Sequence, residues 1–416
     1  MKGFLLLARF VTLAVAAVAL ASLGLINWRA YQPGRVDTAI AQLRFLEGAL
    51  DAGAAERMQS VFPEGYVFTW ALYGLAWAQV AMALPSSDPL RDEALSAAGN
   101  AVSHVTSDHA KARFVAELSP PYGAFYSSWS LYLRSVLLRA TRPGEPAPFA
   151  LEEYERDGEN FASALSRGSS PFLPSYPAAV WPADTVVGVA ALAIRDSTLV
   201  PRYRSVIANW LAMVRQRLDP ELGAISHAAN HKDGMPWGGV RGESLALMSR
   251  LLVDVDASLA RQQYEILRQH FVDYAWGVPG VREYPLGVDG RADIDSGPIV
   301  LGFSGPATVV GAGAAIANGD DELADTLLAT AEVAGFPIEL AGRRRYAGGL
   351  IPIGDAFLAW SRTTPSSLEQ GRGDYGRLVP RAWRLPLHAV SFVLAGSILH
   401  VAFRVWQDSR SKRQWG

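Results

Sequence analysis

Apolar residues along most of the chain recur at the i, i+3, i+4, i+7 spacing of a helix with one buried face, and short stretches rich in Pro, Gly, Asp and Asn interrupt that spacing. The pattern predicts about twelve helices, over 35–52, 65–84, 87–105, 120–141, 149–168, 182–196, 198–218, 240–256, 258–276, 297–318, 319–334 and 352–363. Long alternating β-branched runs, the signal for strands, are missing. Junctions such as Ala317-Asn318-Gly319-Asp320 stop one helix and cap the next, so neighbouring helices read as hairpins. The partners in a hairpin differ. Val300 to Ala317 is small and apolar nearly all round, whereas Asp321 to Glu332 carries acids on one face and Leu, Ala and Val on the other.

Alternation of buried and amphipathic helices predicts an all-α body with an inner and an outer layer: about six hairpins closed into an (α/α)6 toroid, with a cavity at one end of the inner ring. A superhelical stack of helix pairs would show similar spacing, but no sequence signature repeats from hairpin to hairpin.

Two longer apolar runs flank this body. Phe10 to Asn27 is uncharged, with Lys2 and Arg9 before it and Trp28 and Arg29 after it, as in a membrane-spanning helix with interfacial anchors. Leu385 to Phe403 is a second such run, followed by Arg404, Arg410, Lys412 and Arg413. The positive-inside rule puts both termini in the cytoplasm and the body outside, in the periplasmic or extracytoplasmic space. The expected division is an N-terminal anchor over 1–29, an exported helical domain over 30–383, and a transmembrane helix with a basic tail over 384–416. A cleaved signal peptide is the alternative for the first run, because it leads to Ala19-Leu20-Ala21. A third uncharged run, Ser296 to Gly319, is long enough to cross a membrane, but its prolines and glycines and the adjoining Asp293 and Asp295 point to a buried helix.

Composition narrows the function classes. At a net charge of -2, and with the basic residues that do cluster lying at the ends, the sequence gives no electrostatic reason to expect nucleic acid as a partner. The absence of cysteine removes disulfides and thiolate ligands. Gly311-Ala312-Gly313 lacks the third glycine and the preceding strand of a dinucleotide fingerprint, and no cofactor is expected. Membrane lipid and a carbohydrate or small-molecule substrate are the expected partners.

Polar and aromatic residues that break the helical pattern fall mostly in loops before the inner helices, in three clusters. The first runs from Tyr176 through Trp181 to Asp184, where prolines hold an aromatic pair and an acid just ahead of a helix. Asp184 would serve as general acid or base, with Tyr176 and Trp181 as a platform for a sugar-like ligand. The competing role is stabilisation of the helix N-terminus, worth up to about 1 kcal/mol. The second cluster holds Arg282, Glu283, Tyr284, Asp293 and Asp295, three carboxylates ahead of the most apolar helix. On an extended segment Asp293 and Asp295 point the same way, and mutual repulsion would raise one pKa into the range of a general acid. A calcium site, or an N-cap with Arg282 or Arg291 as counterion, is the structural alternative. The third contains His227, His231, Trp237 and Glu243. Its glycines and Pro236 favour a loop over the helix that metal-binding histidines four apart would need, which leaves proton transfer or simple solvation. Tyr122 and Tyr126 follow Pro120-Pro121 and are candidates for the cavity mouth.

The Tyr-Pro…Trp-Pro-x-Asp stretch from Tyr176, the Arg241-Gly242-Glu243 step and the Asp293-Ile294-Asp295-Ser296-Gly297-Pro298 segment resemble the six-hairpin (α/α)6-toroid enzymes, including the linalool dehydratase-isomerase-like proteins. These motifs cover about half of the body. The class spans glycoside hydrolases, polysaccharide lyases, epimerases and terpene-alcohol dehydration, so the resemblance implies acid–base chemistry and leaves the reaction open. The linalool-type enzymes are associated with an active-site cysteine, and this chain departs from them in having none. The leading expectation is a non-redox enzyme on an envelope carbohydrate or glycolipid, with Asp184 and Asp295 as proton donor and acceptor. A lyase or isomerase of a membrane-derived alcohol and a non-catalytic glycan- or protein-binding scaffold are the alternatives.

Overall fold

The computed structural model describes residues 2–142, 144–274, 277–366 and 375–411, so Lys412 and Arg413 of the expected basic tail lie outside it. The chain begins with α1 (Lys2–Arg29), α2 (Val36–Asp51), α3 (Ala54–Val61), α4 (Gly65–Ala83), α5 (Pro89–Val105) and α6 (Asp108–Lys111). It continues with α7 (Gly123–Ala140), α8 (Leu151–Arg167), α9 (Pro182–Thr198), α10 (Arg204–Arg215) and α11 (Gly242–Leu251). The last are α12 (Ala257–His270), α13 (Gly305–Ala317), α14 (Asp321–Ala334), α15 (Pro352–Arg362) and α16 (Leu385–Ser411).

The two helix types read from the pattern are present. Helices α4, α7, α9, α11, α13 and α15 are buried on most sides, whereas α8, α10 and α12 bury a single stripe such as Tyr154, Phe161 and Leu165. Among the buried helices, α4 packs on α7, α7 on α9, α9 on α11, α11 on α13, α13 on α15, and α15 on α4. The amphipathic helices lie against them: α5 on α4 and α7, α8 on α7 and α9, α12 on α11, α14 on α13, and α2 on both α4 and α15.

Hydrogen bonds fix the direction of the buried helices. Ala124 N, starting α7, donates to Pro174 O ahead of α9 (2.9 Å), and Ala229 N ahead of α11 donates to Val180 O ahead of α9 (3.1 Å). Gly242 N, starting α11, donates to Glu283 O ahead of α13 (2.9 Å). At the opposite ends, Arg250 of α11 donates to Trp360 O of α15 (2.8 Å), and Asn318 after α13 donates to Ser249 O (3.0 Å). The starts of these helices therefore share one end of the body and their last turns share the other.

Differences from the expected elements have local causes. The helix expected over 297–318 begins only at Gly305; Ile299–Val300 and Phe303–Ser304 pair as an antiparallel hairpin, reversed at Leu301 and Gly302 by positive φ angles of 53° and 86°. Three further two-stranded hairpins join Ala228–Ala229 to Pro236–Trp237, Val272–Asp273 to Gly280–Val281, and Ile338–Leu340 to Arg343–Arg345. Short helices α3 and α6, of 8 and 4 residues, add to the predicted set and are too brief to show a period.

Helices α1 and α16 are long and apolar enough to cross a membrane, and they pack against each other. A polar clasp joins them where they meet the body: Tyr31 Oη lies 2.7 Å from His388 Nε2, His388 Nδ1 lies 2.5 Å from Asn27 Oδ1, and Arg384 donates to Ala30 O (2.8 Å). The third apolar run contributes only the 13 residues of α13, buried within the body and short of a bilayer's thickness.

Candidate active site

The segment before α9 is a tight strap. Tyr176 and Ala179 bridge across a turn in which Ala178 takes a φ of 63°, and Pro182 then opens the helix. Tyr176 meets Trp181 edge to face at 5.8 Å, and its hydroxyl donates to Glu64, the residue just before α4. Asp184, in the first turn of α9, accepts a hydrogen bond of 2.5 Å from Ser175 Oγ. Burial pushes the Asp184 carboxyl up to about 7, and the negative charges of Asp295 and Glu64 push the same way against the Ser175 hydrogen bond. Tyr176 is held well above its ordinary value, chiefly by burial and then by its bond to Glu64.

A second acid group forms where α11 begins. A Cβ on residue 242 would fall 1.9 Å from Arg282 O, so only glycine lets the start of α11 approach the segment carrying Glu283. Glu243 and Glu283 meet across this contact. Glu283 is fully buried, and neither of its carboxyl oxygens nor Glu243 Oε2 has a conventional donor. One proton held between the two carboxyls pairs one oxygen of each, and Glu283 Oε1 also faces the Arg241 guanidinium at 3.8 Å. Burial and this sharing drive Glu283 far above the carboxylate range; for Glu243, burial is outweighed by hydrogen bonds from His227, Glu283 and Ser244, which keep it ionised. His227 Nδ1 sits 3.1 Å from Glu243 Oε1 and 2.7 Å from Ser244 Oγ. Donation from Nδ1 to Glu243 leaves Nε2 as the basic nitrogen of a carboxylate-oriented histidine.

The Asp293–Ser296 turn divides its two acids. Asp293 Oδ1 accepts from the backbone of Asp295 (3.1 Å) and Ser296 (2.9 Å), and its other oxygen pairs with Arg241. Asp293 thus braces the loop. Asp295 is left projecting, solvent-accessible yet surrounded by enough protein that burial, followed by the charges of Glu243 and Asp293, raises it to about 6.

Glu64, Asp184, Glu243 and Asp295 therefore act on one another electrostatically at the end where the buried helices start. The remaining candidates sort around them. Trp181 is half-buried beside Tyr176. Trp237, 72% exposed, is the register partner of Ala228, next to His227, and His231 lies exposed at the far end of the same hairpin. Tyr284 lies under the Arg241 guanidinium at 5.3 Å and donates to Arg291 O, which makes it a support for Arg241. Arg282 points toward Asp273 (3.5 Å) and Asp289 (3.6 Å). Tyr126, expected at the mouth, is buried instead and donates to Val105 O (3.1 Å), with Tyr122 packed on its edge at 5.4 Å.

Glu64, Ser175 and Ser244 are additions that the sequence clusters did not contain. Glu64 lies 112 positions from its tyrosine and looks locally like a helix-start acid; its one sequence signal is that it, too, precedes a strongly apolar helix. Among the described residues no three His, Asp or Glu side chains are grouped as metal ligands. The arrangement offers two carboxyl groups that titrate near neutrality, a proton-sharing glutamate pair and an oriented imidazole, the components of proton transfer to and from a bound substrate. No protein-family model matches the chain, and no curated protein is detectably similar to it.

Proposed function

We propose that the six buried helices are the inner ring of an (α/α)6 toroid, held by two membrane-spanning helices on the extracytoplasmic side, and that the protein is a non-redox enzyme acting on an envelope carbohydrate or glycolipid. The observation that carries this reading is the convergence of Glu64, Asp184, Glu243 and Asp295, contributed by four separate segments, with Asp184 and Asp295 raised into the working range of acid–base catalysts. Packing of α15 back on α4 supports the closed ring.

In this reading Asp184, enclosed and half-protonated near pH 7, donates a proton to the leaving oxygen, and Asp295, more accessible and more acidic, accepts one from water or from a sugar carbon or hydroxyl. His227, oriented by Glu243, is the second base. Trp181, Tyr176 and Trp237 supply flat apolar faces for sugar rings. The Glu243–Glu283 pair stores one proton and holds the loop ahead of α13 against the start of α11.

The test is turnover by full-length protein in detergent micelles, offered envelope glycan and glycolipid fractions and read by mass spectrometry of products. Asp184→Asn and Asp295→Asn should each lower kcat by a factor of about 10² or more at unchanged circular dichroism, with KM altered mainly by Trp181→Ala. Undiminished turnover in both acid variants would overturn the assignment.

A further inference from the structure

Both membrane-spanning helices leave the body at the end that carries the acids. Arg29, closing α1, lies within electrostatic reach of Glu332, Glu339 and Arg344, at the C-terminal end of α14 and in the hairpin that follows. Six residues later Arg35 pairs with Asp325 (2.7 Å) and Asp321 (3.4 Å) near the opposite end of α14. The chain from 29 to 35 thus runs along α14 away from the end where α15 begins. The start of α16 tells the same story: Gly277, between α12 and α13, is so close to it that a Cβ would fall 2.6 Å from Pro386 and 2.8 Å from Trp383 O.

The hairpin beside Arg29 has two unlike faces. Its register pairs Ile338 with Arg345, Glu339 with Arg344, and Leu340 with Arg343, and directly opposed residues share a face. Arg344 turns inward to the buried Glu332, with the exposed Glu339 paired to it on the same face. The outward face carries Ile338, Leu340, Arg343 and Arg345, all exposed, with Leu340 at 75% and Leu350, on the loop that continues to α15, at 81%. Apolar side chains alternating with arginines suit the boundary between acyl chains and anionic headgroups.

We propose that this hairpin and the Leu350–Ile351 loop dock on the anionic lipid leaflet from which α1 and α16 emerge, so that the acid cluster opens at the bilayer surface. Lipid is the favoured occupant because the patch lies beside the end of α1, against which α16 packs. Resting on the reading of the site as an enzyme, the substrate class narrows to a membrane-held amphiphile whose polar head reaches the carboxylates, as in a lipid-linked sugar.

The absence of cysteine makes a direct test available. Full-length protein with a single nitroxide-labelled cysteine, Leu340→Cys or Leu350→Cys, is placed in nanodiscs containing phosphatidylglycerol. Val200→Cys, 80% exposed just beyond the last turn of α9, is the control at the opposite end. Labels at 340 and 350 should show a ratio of oxygen to water-soluble nickel collisions several-fold above that at 200, and adding Arg343→Glu with Arg345→Glu should lower it at both sites. Ratios equal to that at 200 would overturn the docking. Docking with undiminished turnover in the acid variants would sink the catalytic reading alone, whereas absent docking with acid-dependent turnover of a soluble glycan would sink only this inference.

Discussion

Asp184→Asn is the substitution whose effect the structure fixes most closely. In the fold the carboxyl keeps its proton up to about pH 7, against an ordinary value of 3.8. Between those values the folded chain holds a proton that the unfolded chain has released, so stability falls as pH rises through this window and is level on either side. A shift of about 3 units corresponds to about 4 kcal/mol, at about 1.36 kcal/mol per unit. Asparagine is nearly isosteric with the protonated acid, can still accept from Ser175 Oγ, and has nothing to ionise. The variant should therefore match the parent at pH 4 and exceed it at pH 8. For a body of about 350 residues the unfolding entropy is about 0.7 kcal/mol/K, so the gap should open to about 6 °C in Tm. Thermal unfolding in detergent, followed by tryptophan fluorescence from pH 4 to 8, gives the comparison. A constant offset between the two curves would refute the claim that Asp184 is ionised at a cost in the native state, and with it the reason for naming it the proton donor.

Two further outcomes follow from the same geometry. If Asp295 must be ionised and Asp184 protonated, kcat/KM should trace a narrow bell with limbs near pH 6 and pH 7, and a profile flat across that interval would contradict the assigned roles. Glu332, 1% exposed and bonded to Arg344, Arg362 and Tyr346, should cost about 3–5 kcal/mol when replaced by alanine, because Arg362 is left buried with its charge uncompensated; a Tm within 1 °C of the parent would argue against that network.

Much of the helical frame was legible from periodicity because each layer imposes its own pattern: Leu72, Ala76 and Val80 are buried along with nearly every neighbour on α4, whereas α8 alternates Tyr154, Phe161 and Leu165 with acids. The 299–304 hairpin was hidden inside an apolar run whose hydrophobicity serves a turn and a helix in succession. Proximity to Pro120-Pro121 points to the mouth for Tyr126, but the helical turn starting at Gly123 carries it into the core. At the site, Asp184, Glu243 and Asp295 were recognisable as acids stranded ahead of apolar helices. Glu283 was visible only as one acid among several; what separates it is that Arg282 and Glu283, adjacent on an extended segment, face opposite ways, one toward Asp273 and the other into the core. Glu64 escaped because its significance depends on a tyrosine that only tertiary packing brings near.

The packing of α15 against α2 and α4 bears on how the chain is made. Arg362 binds Gln42 across a separation of 320 positions, so α2 and α4, made early, wait for α15 before their buried faces are covered. Closing a loop of that length costs about 5 kcal/mol in chain entropy, and the gain arrives only when α15 docks. Until then α4, apolar on every side, has no finished resting place. A nascent chain of this kind is exposed to proteases and aggregation for nearly its whole synthesis, and one truncated before α15 lacks the piece that makes the rest stable.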